Sequence, residues 1–171
     1  MKQENPMQEI RIEKVTLNIG VGKSPDKMDK AIKLLATLTG RTPIKTVTNK
    51  RIPSWGLRPG LPIGCKVTLR KEAADAMLKR LIEAVDGKLK TGQFDNEGNI
   101  SFGIKEYISI PGAKYDPEIG LMGLQACVTL ERRGFRLKKR KLREKKIPRK
   151  HRIDRQAAIN FMKEKYGVVV E

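Results

Sequence analysis

An α+β fold, a two-layer sandwich of a mostly antiparallel sheet with helices packed on one face, is what this sequence predicts. Three observations carry that prediction. Two long stretches repeat apolar residues at helical spacing, several short runs alternate apolar with polar residues, and the two kinds interleave in the order β-α-β-β-α-β-β. A basic extension and one more helix complete the chain. Helices that bury one stripe and strands that bury one side are accommodated most simply by stacking the helices on a single sheet face. At 171 residues the chain reads as one domain, 1–171, large enough to bury a core.

The first strand runs from Ile10 to Ile19. Ile10, Ile12, Val15, Leu17 and Ile19 are apolar, with one phase slip near Glu13, and Lys14, Thr16 and Asn18 stand between them. Ser24 is placed as an N-cap, Pro25 suits the first helical position and Asp26 complements the helix dipole. Met28, Ala31, Ile32, Leu35 and Leu38 then recur at helical spacing until Gly40 stops the helix. A second strand is expected over Ile44 to Asn49. The segment "RIPSWGLRPGLPIG", with three prolines and three glycines, reads as a long loop. "CKVTLR" makes a third strand. The next helix places Ala74, Met77, Leu78, Leu81, Ile82 and Val85 on one side and ends at Gly87. After the turn-rich "DNEGN" comes a strand from Ile100 to Ile110, whose apolar phase is broken by Glu106; a bulge there is the expectation. The last strand spans Leu124 to Arg133. Asp154 is placed to cap a final helix through Tyr166, with Ala158, Phe161 and Met162 on its buried side.

Composition bounds the function. The chain has 37 Lys plus Arg against 19 acids, a formal charge of +18. Such an excess repels itself unless a polyanion neutralises it, which points to nucleic acid or an anionic membrane. No apolar run approaches the roughly 18 residues of a membrane span, and the first ten residues hold no hydrophobic signal core, so an intracellular chain without a membrane partner is expected. Aromatic residues are only 5%, so aliphatic side chains must fill most of the interior. Cys65 and Cys127, far apart in apolar strand-like surroundings, read as small packing residues. The single His151 lies in a different kind of segment, so neither a metal site nor a disulfide is expected, and no cofactor.

The motif "LNIGVGKSPDK" resembles the end of a phosphate-cradling loop, because Gly22, Lys23 and Ser24 supply its G-K-[ST]. The first glycine of that pattern should stand five residues before Gly22, where the chain has Leu17, a strand core position. The glycines instead read as a tight strand-to-helix turn, with Lys23 and Ser24 free to touch a polynucleotide phosphate. One histidine, no nucleophile elbow and no closely spaced acid pair leave little for acid–base chemistry. A binding protein is expected rather than an enzyme, and no small-molecule substrate.

Three surfaces qualify for that binding. Outward positions of the strands offer Lys14, Thr16 and Asn18, then Thr46 and Thr48, then Lys66, Thr68 and Arg70, a plate of hydroxyls, one amide and cations without acids. Thr and Lys are common at any exposed strand position; short hydrogen-bonding side chains beside cations also let a sheet lie close to sugar and phosphate. Without aromatic residues for base stacking, the plate suits the shallow minor groove of folded RNA better than single strands. The second surface is the basic segment, about 134–153. Between Arg132 and Arg155 stand 14 basic residues and two acids, with Arg136, Lys138, Lys139, Arg140, Lys141 and Arg143 at its centre. It reads as a cationic extension ordered by RNA rather than as a core element. The third is the loop Ser54, Trp55, Gly56, Leu57, Arg58, Pro59 and Gly60. Trp55 either tucks back on the body or lets the loop reach a second partner by stacking and phosphate contact.

The stretches "IEKVTLNIGVG", "LTGRTPIKT", "LRPGLPIGCKVTLR", "FGIKEYISIPGAKYDPEIGLMG" and "VTLERRG" resemble the large-subunit ribosomal protein L5 family, of the archaeal and eukaryotic type, over nearly the whole chain. The resemblance implies a non-catalytic structural protein of the cytoplasmic ribosome that binds 5S rRNA in the central protuberance. It also implies large-subunit rRNA, peptidyl-site tRNA and neighbouring ribosomal proteins as partners, and a bridge toward the small-subunit head. Carried over by position, it places RNA contacts at Lys14, Asn18, Arg41, Thr46, Thr68 and Arg70, of which Arg41 comes from the resemblance alone. The loop Ser54 to Gly60 matches the family loop that approaches peptidyl-site tRNA. Two departures stand out: Gly123, Leu124, Gln125 replace a common Gly-Met-Asp, and Trp55 stands where phenylalanine is common. A free RNA-binding regulator or RNA chaperone with the same surface is the alternative.

Overall fold

The computed structural model describes residues 5–171. The expectation of no hydrophobic signal core rests partly on the first four residues, which lie outside these. Strand β1, Ile10–Gly20, is the centre of the sheet, and its alternation is what builds it. Val15 and Leu17 are fully buried on one side, while Thr16 and Asn18 stay half-exposed on the other. The phase slip at Glu13 is a register shift between Ile12 and Lys14 against the neighbouring strand, which returns the apolar phase to the core.

Helix α1, Pro25–Thr39, begins on Pro25 and ends at Gly40, whose N–H donates to the Ala36 carbonyl at 2.8 Å. Ser24 occupies the N-cap position in an extended conformation but makes no side-chain capping bond. The helix buries Met28, Ala31, Leu34, Leu35 and Leu38, with Ile32 only partly covered. Strand β2, Ile44–Val47, is shorter than expected. Strand β3, Pro62–Leu69, starts three residues earlier than expected. Helix α2, Glu72–Glu83, buries Ala74, Met77, Leu78, Leu81 and Ile82 as the helical spacing predicts.

Three further strands follow, β4 Lys88–Leu89, β5 Asn99–Ile104 and β6 Leu124–Arg132, then helix α3, Arg155–Tyr166, and strand β7, Val169–Val170. The strand expected to reach Ile110 stops at Ile104. Glu106 begins a short 3-10 turn, Tyr107–Ser109, because Tyr107 turns into the core and its hydroxyl accepts the Asp116 N–H at 3.0 Å. The anticipated bulge at Glu106 is therefore a strand end. The parallel pairing of β4 with β7 has no counterpart in the sequence reading, since two-residue strands carry no periodicity.

Among the described residues the main sheet has the order β2-β3-β1-β6-β5, with every neighbouring pair antiparallel. Helix α1 lies against β3 and α2 against β1, so both occupy one face. The core between them is aliphatic: Leu17, Leu34, Leu35, Leu78, Leu81 and Ile100 are almost wholly buried. Each such side chain contributes roughly 1.5–3 kcal/mol relative to exposure, which is how a chain poor in aromatic residues holds its layers together. Cys65 packs there, and burial pushes its thiol pKa up. Cys127 does not: it is exposed on the other face, which corrects its reading as a packing residue.

Candidate nucleic-acid interface

Strand registers bring the outward residues into rows. Thr68, Thr16, Cys127 and Ser101 stand side by side across β3, β1, β6 and β5. The next row holds Ile44, Lys66, Asn18, Gln125 and Gly103, in which Asn18 Nδ2 donates to Gln125 Oε1 at 3.1 Å. Beyond them lie Thr46 beside Gly64 and Gly20 at one end, and Lys14, Thr129 and Asn99 toward the other. Lys66, Thr68, Gln125, Cys127 and Ser101 are exposed, and Lys14, Thr16, Thr46, Asn18 and Thr129 are half-buried by their neighbours in the sheet. The chain's own helices leave this face open.

The plate is larger than the sequence reading made it. Its β5 and β6 half, with Gln125, Cys127, Thr129, Asn99 and Ser101, was signalled by the alternation of Leu124, Ala126, Val128 and Leu130, but only the pairing of β6 with β1 joins it to the rest. Thr48 does not belong to it. A register shift between Thr46 and Val47 breaks the phase, and Thr48 is 8% exposed, with its Oγ1 donating to the Lys50 carbonyl at 3.1 Å. Arg41 is exposed just past α1, beside a groove of about 430 Å³ lined by Thr42, Ile44, Lys66 and Thr68. Ile44, 66% exposed, brings an apolar side chain to the edge of an otherwise polar plate.

Acids are present at one end, contrary to expectation. The side chain of Glu13, the residue at the register shift, is 9% exposed and holds Arg70 Nη1 at 3.3 Å and the Lys139 ammonium on the same Oε1. Burial pushes the Glu13 carboxyl up, but Lys139, Arg70 and Lys14 together outweigh it and hold it below the usual carboxylate range. Arg11 is likewise paired with Glu131 at 2.7 Å. Arg70 is thus a partly neutralised member of the set, whereas Lys66 makes no ion pair with the described residues.

The loop after β2 is ordered, not irregular. Ile52 and Leu57 bridge each other with hydrogen bonds of 3.1 and 3.0 Å, closing a 3-10 turn over Pro53–Trp55. Lower down, Gly60 N–H donates to the Thr48 carbonyl at 2.9 Å. Trp55 stands 66% exposed at the tip, with Ser54, Gly56, Arg58, Pro59 and Gly60 exposed and Leu57 half-buried. It does not tuck back on the body.

The basic segment is part of the folded body, which corrects its reading as an extension outside the core. Phe135, Ile147 and Ile153 are buried, and His151 Nε2 lies 2.8 Å from the Arg133 carbonyl while its ring meets Phe135 edge-on. A Cβ added at Gly98 would lie 2.6 Å from Ile153 Cγ2, so the β4–β5 connection packs directly on the segment. Arg136, Lys138, Lys139, Lys141 and Arg143 remain exposed, and Arg140 Nε donates to the Arg143 carbonyl at 2.7 Å.

An open hydroxyl-and-cation sheet face, an exposed tryptophan loop and a cationic segment anchored by three apolar residues together define a polyanion-binding protein. Two family models match adjoining stretches: "Ribosomal protein L5" over residues 5–58, and the C-terminal model of the same ribosomal family over residues 62–161. Similar chains, each named large ribosomal subunit protein uL5, come from Nanoarchaeum equitans, Sulfolobus acidocaldarius and Methanobrevibacter smithii. The first is 53% identical over 98% of this chain and 99% of its own. The second is 48% identical over 99% and 95%, and the third 44% identical over 96% of each. The chain belongs to the ribosomal protein L5 family, whose members are structural and not enzymatic.

Proposed function

We propose that this chain is a structural component of the large subunit of the cytoplasmic ribosome that binds 5S rRNA in the central protuberance through its open sheet face. The single observation that carries the reading is that the face opposite α1 and α2 is uncovered, polar and cationic. Thr16, Thr68, Asn18 and Gln125 offer short donors and acceptors at the spacing of adjacent strands, and Lys14 and Lys66 neutralise phosphate. No aromatic side chain of the described residues lies on the plate, so it is suited to the ribose edges of a duplex minor groove. Arg41 and Thr46 extend the contact at the β2 edge. The Trp55 loop is the contact to peptidyl-site tRNA, because an exposed indole beside Arg58 combines a stacking surface with a cation. The basic segment reaches further large-subunit rRNA. The chain works as one domain: the boundary between the two family matches falls between β2 and β3, which are hydrogen-bonded neighbours in one sheet.

Replacing Asn18 and Thr68 together by Ala tests the plate. The expected loss of 5S rRNA affinity is about 1–3 kcal/mol, the worth of hydrogen bonds to charged or buried partners, with unchanged thermal stability. An unaltered dissociation constant at fixed salt removes the sheet face from the mechanism. Sedimentation separates a ribosomal component from a free regulator, since only the former tracks quantitatively with large subunits.

A further inference from the structure

The turn between β1 and α1, "GVGKS", lacks the first glycine of a phosphate-cradling loop, yet its lysine has a defined seat. Val21 and Gly22 both donate their N–H groups to the Ile63 carbonyl, each at 3.0 Å, at the foot of the Trp55 loop. Turn and loop therefore rise together from one end of the sheet. The Lys23 side chain reaches across to Gly56, the residue next to Trp55. A Cβ at Gly56 would collide with the Lys23 ammonium and would lie 3.2 Å from its Cε. Gly56 also has φ +57, so a larger residue there is disfavoured twice, by conformation and by the lysine. Lys23 is exposed and makes no ion pair with the described carboxylates. Between Thr48 and Leu61 the loop carries Lys50, Arg51 and Arg58 and no acid.

We propose that Lys23 and Trp55 form one composite RNA contact, in which the indole receives an exposed base or ribose and the Lys23 ammonium, seated against bare Gly56, binds the adjoining phosphate. This rests on the reading that the loop meets peptidyl-site tRNA, and it extends that site to a residue from a separate part of the chain. Seating against Gly56 holds the ammonium beside the stacking surface, so the contact forms with little ordering of a long side chain. A lysine that only propped the loop would lower tRNA affinity without adding to its salt dependence, whereas a phosphate contact adds to that slope.

The test uses large subunits assembled with this chain, with and without deacylated tRNA in the peptidyl site. Acetylation of the Lys23 amine is read by mass spectrometry, with Lys88 as the reference. Protection of Lys23 in proportion to tRNA occupancy is expected, together with a roughly three- to tenfold loss of tRNA affinity in Lys23→Gln that Lys23→Arg restores. If Trp55→Ala weakens tRNA binding while Lys23 reacts equally in both states, the loop contact stands and the role of Lys23 is overturned, whatever Lys23→Gln does to affinity. If Trp55→Ala has no effect either, the tRNA reading of the loop falls and the composite contact falls with it.

Discussion

Asp75 is the residue through which α3 is tied to α2. Its carboxylate accepts the Tyr166 hydroxyl, meets Lys165 Nζ at 3.0 Å on the same oxygen and Lys79 Nζ at 3.3 Å on the other. The Tyr166 hydrogen bond, more than the two lysines, holds the Asp75 carboxyl below its usual value of 3.8. Burial and then the Asp75 contact push the Tyr166 phenol well above its usual value of 10.0. A depressed carboxylate contributes stability above its unfolded value and loses it as pH falls through the lower folded one. A raised phenol contributes below its unfolded value and loses it as pH rises toward the higher folded one. Tyr166→Phe should therefore cost about 1 kcal/mol near neutral pH. Chemical denaturation should show that difference shrinking below 3.8 and above 10.0.

Among the elements, the basic segment depends most on burial for its shape. Phe135 sits under Lys138, whose Nζ is 5.5 Å from the ring centroid, and shares the segment's apolar interior with Ile147 and Ile153. Phe135→Ala should remove about 3 kcal/mol and sharply raise tryptic cleavage between Lys138 and Arg149, while cleavage in α1 stays slow. Unchanged cleavage would mean that the three apolar residues do not hold the segment. The loop of residues 111–123 is held in a different way. Arg80 Nε donates to the Pro111 carbonyl at 2.8 Å, and Lys33 Nζ reaches Asp116 at 3.1 Å and Glu118 at 2.5 Å. Contact with Glu118 and then Asp116 raises the Lys33 pKa.

For the whole molecule, a charge of +18 makes RNA binding strongly salt-dependent. The structure separates cations committed to the protein from those left for phosphate. Lys139 is engaged by Glu13, whereas Arg136, Lys141 and Arg143 are exposed and make no ion pair with the described residues. Neutralising those three should flatten the slope of log K against log salt for large-subunit rRNA by about 2–3, at roughly 0.7–0.9 per phosphate contact. Lys139→Gln should change the slope less and loosen the segment from β1. Point substitutions are cleaner than deleting 138–150, which would also remove the buried Ile147.

The sequence by itself determined the layer arrangement, the buried stripe of each long element and the chemistry of β1 and β3 on the open side, because side-chain periodicity is a local property of strands and helices. It also determined the net charge, and it set Leu17 where a phosphate-cradling loop needs its first glycine. Only the tertiary structure decided how far the plate extends, since Gln125, Cys127, Asn99 and Ser101 join it through strand pairing between residues far apart in the chain. The same holds for Thr48, turned inward by a register shift, for Glu13 paired across to Lys139, and for a cationic run folded around Phe135, Ile147 and Ile153. Local alternation says which side of a strand is apolar. What stands beside it is fixed by long-range packing, which no window of neighbouring residues contains.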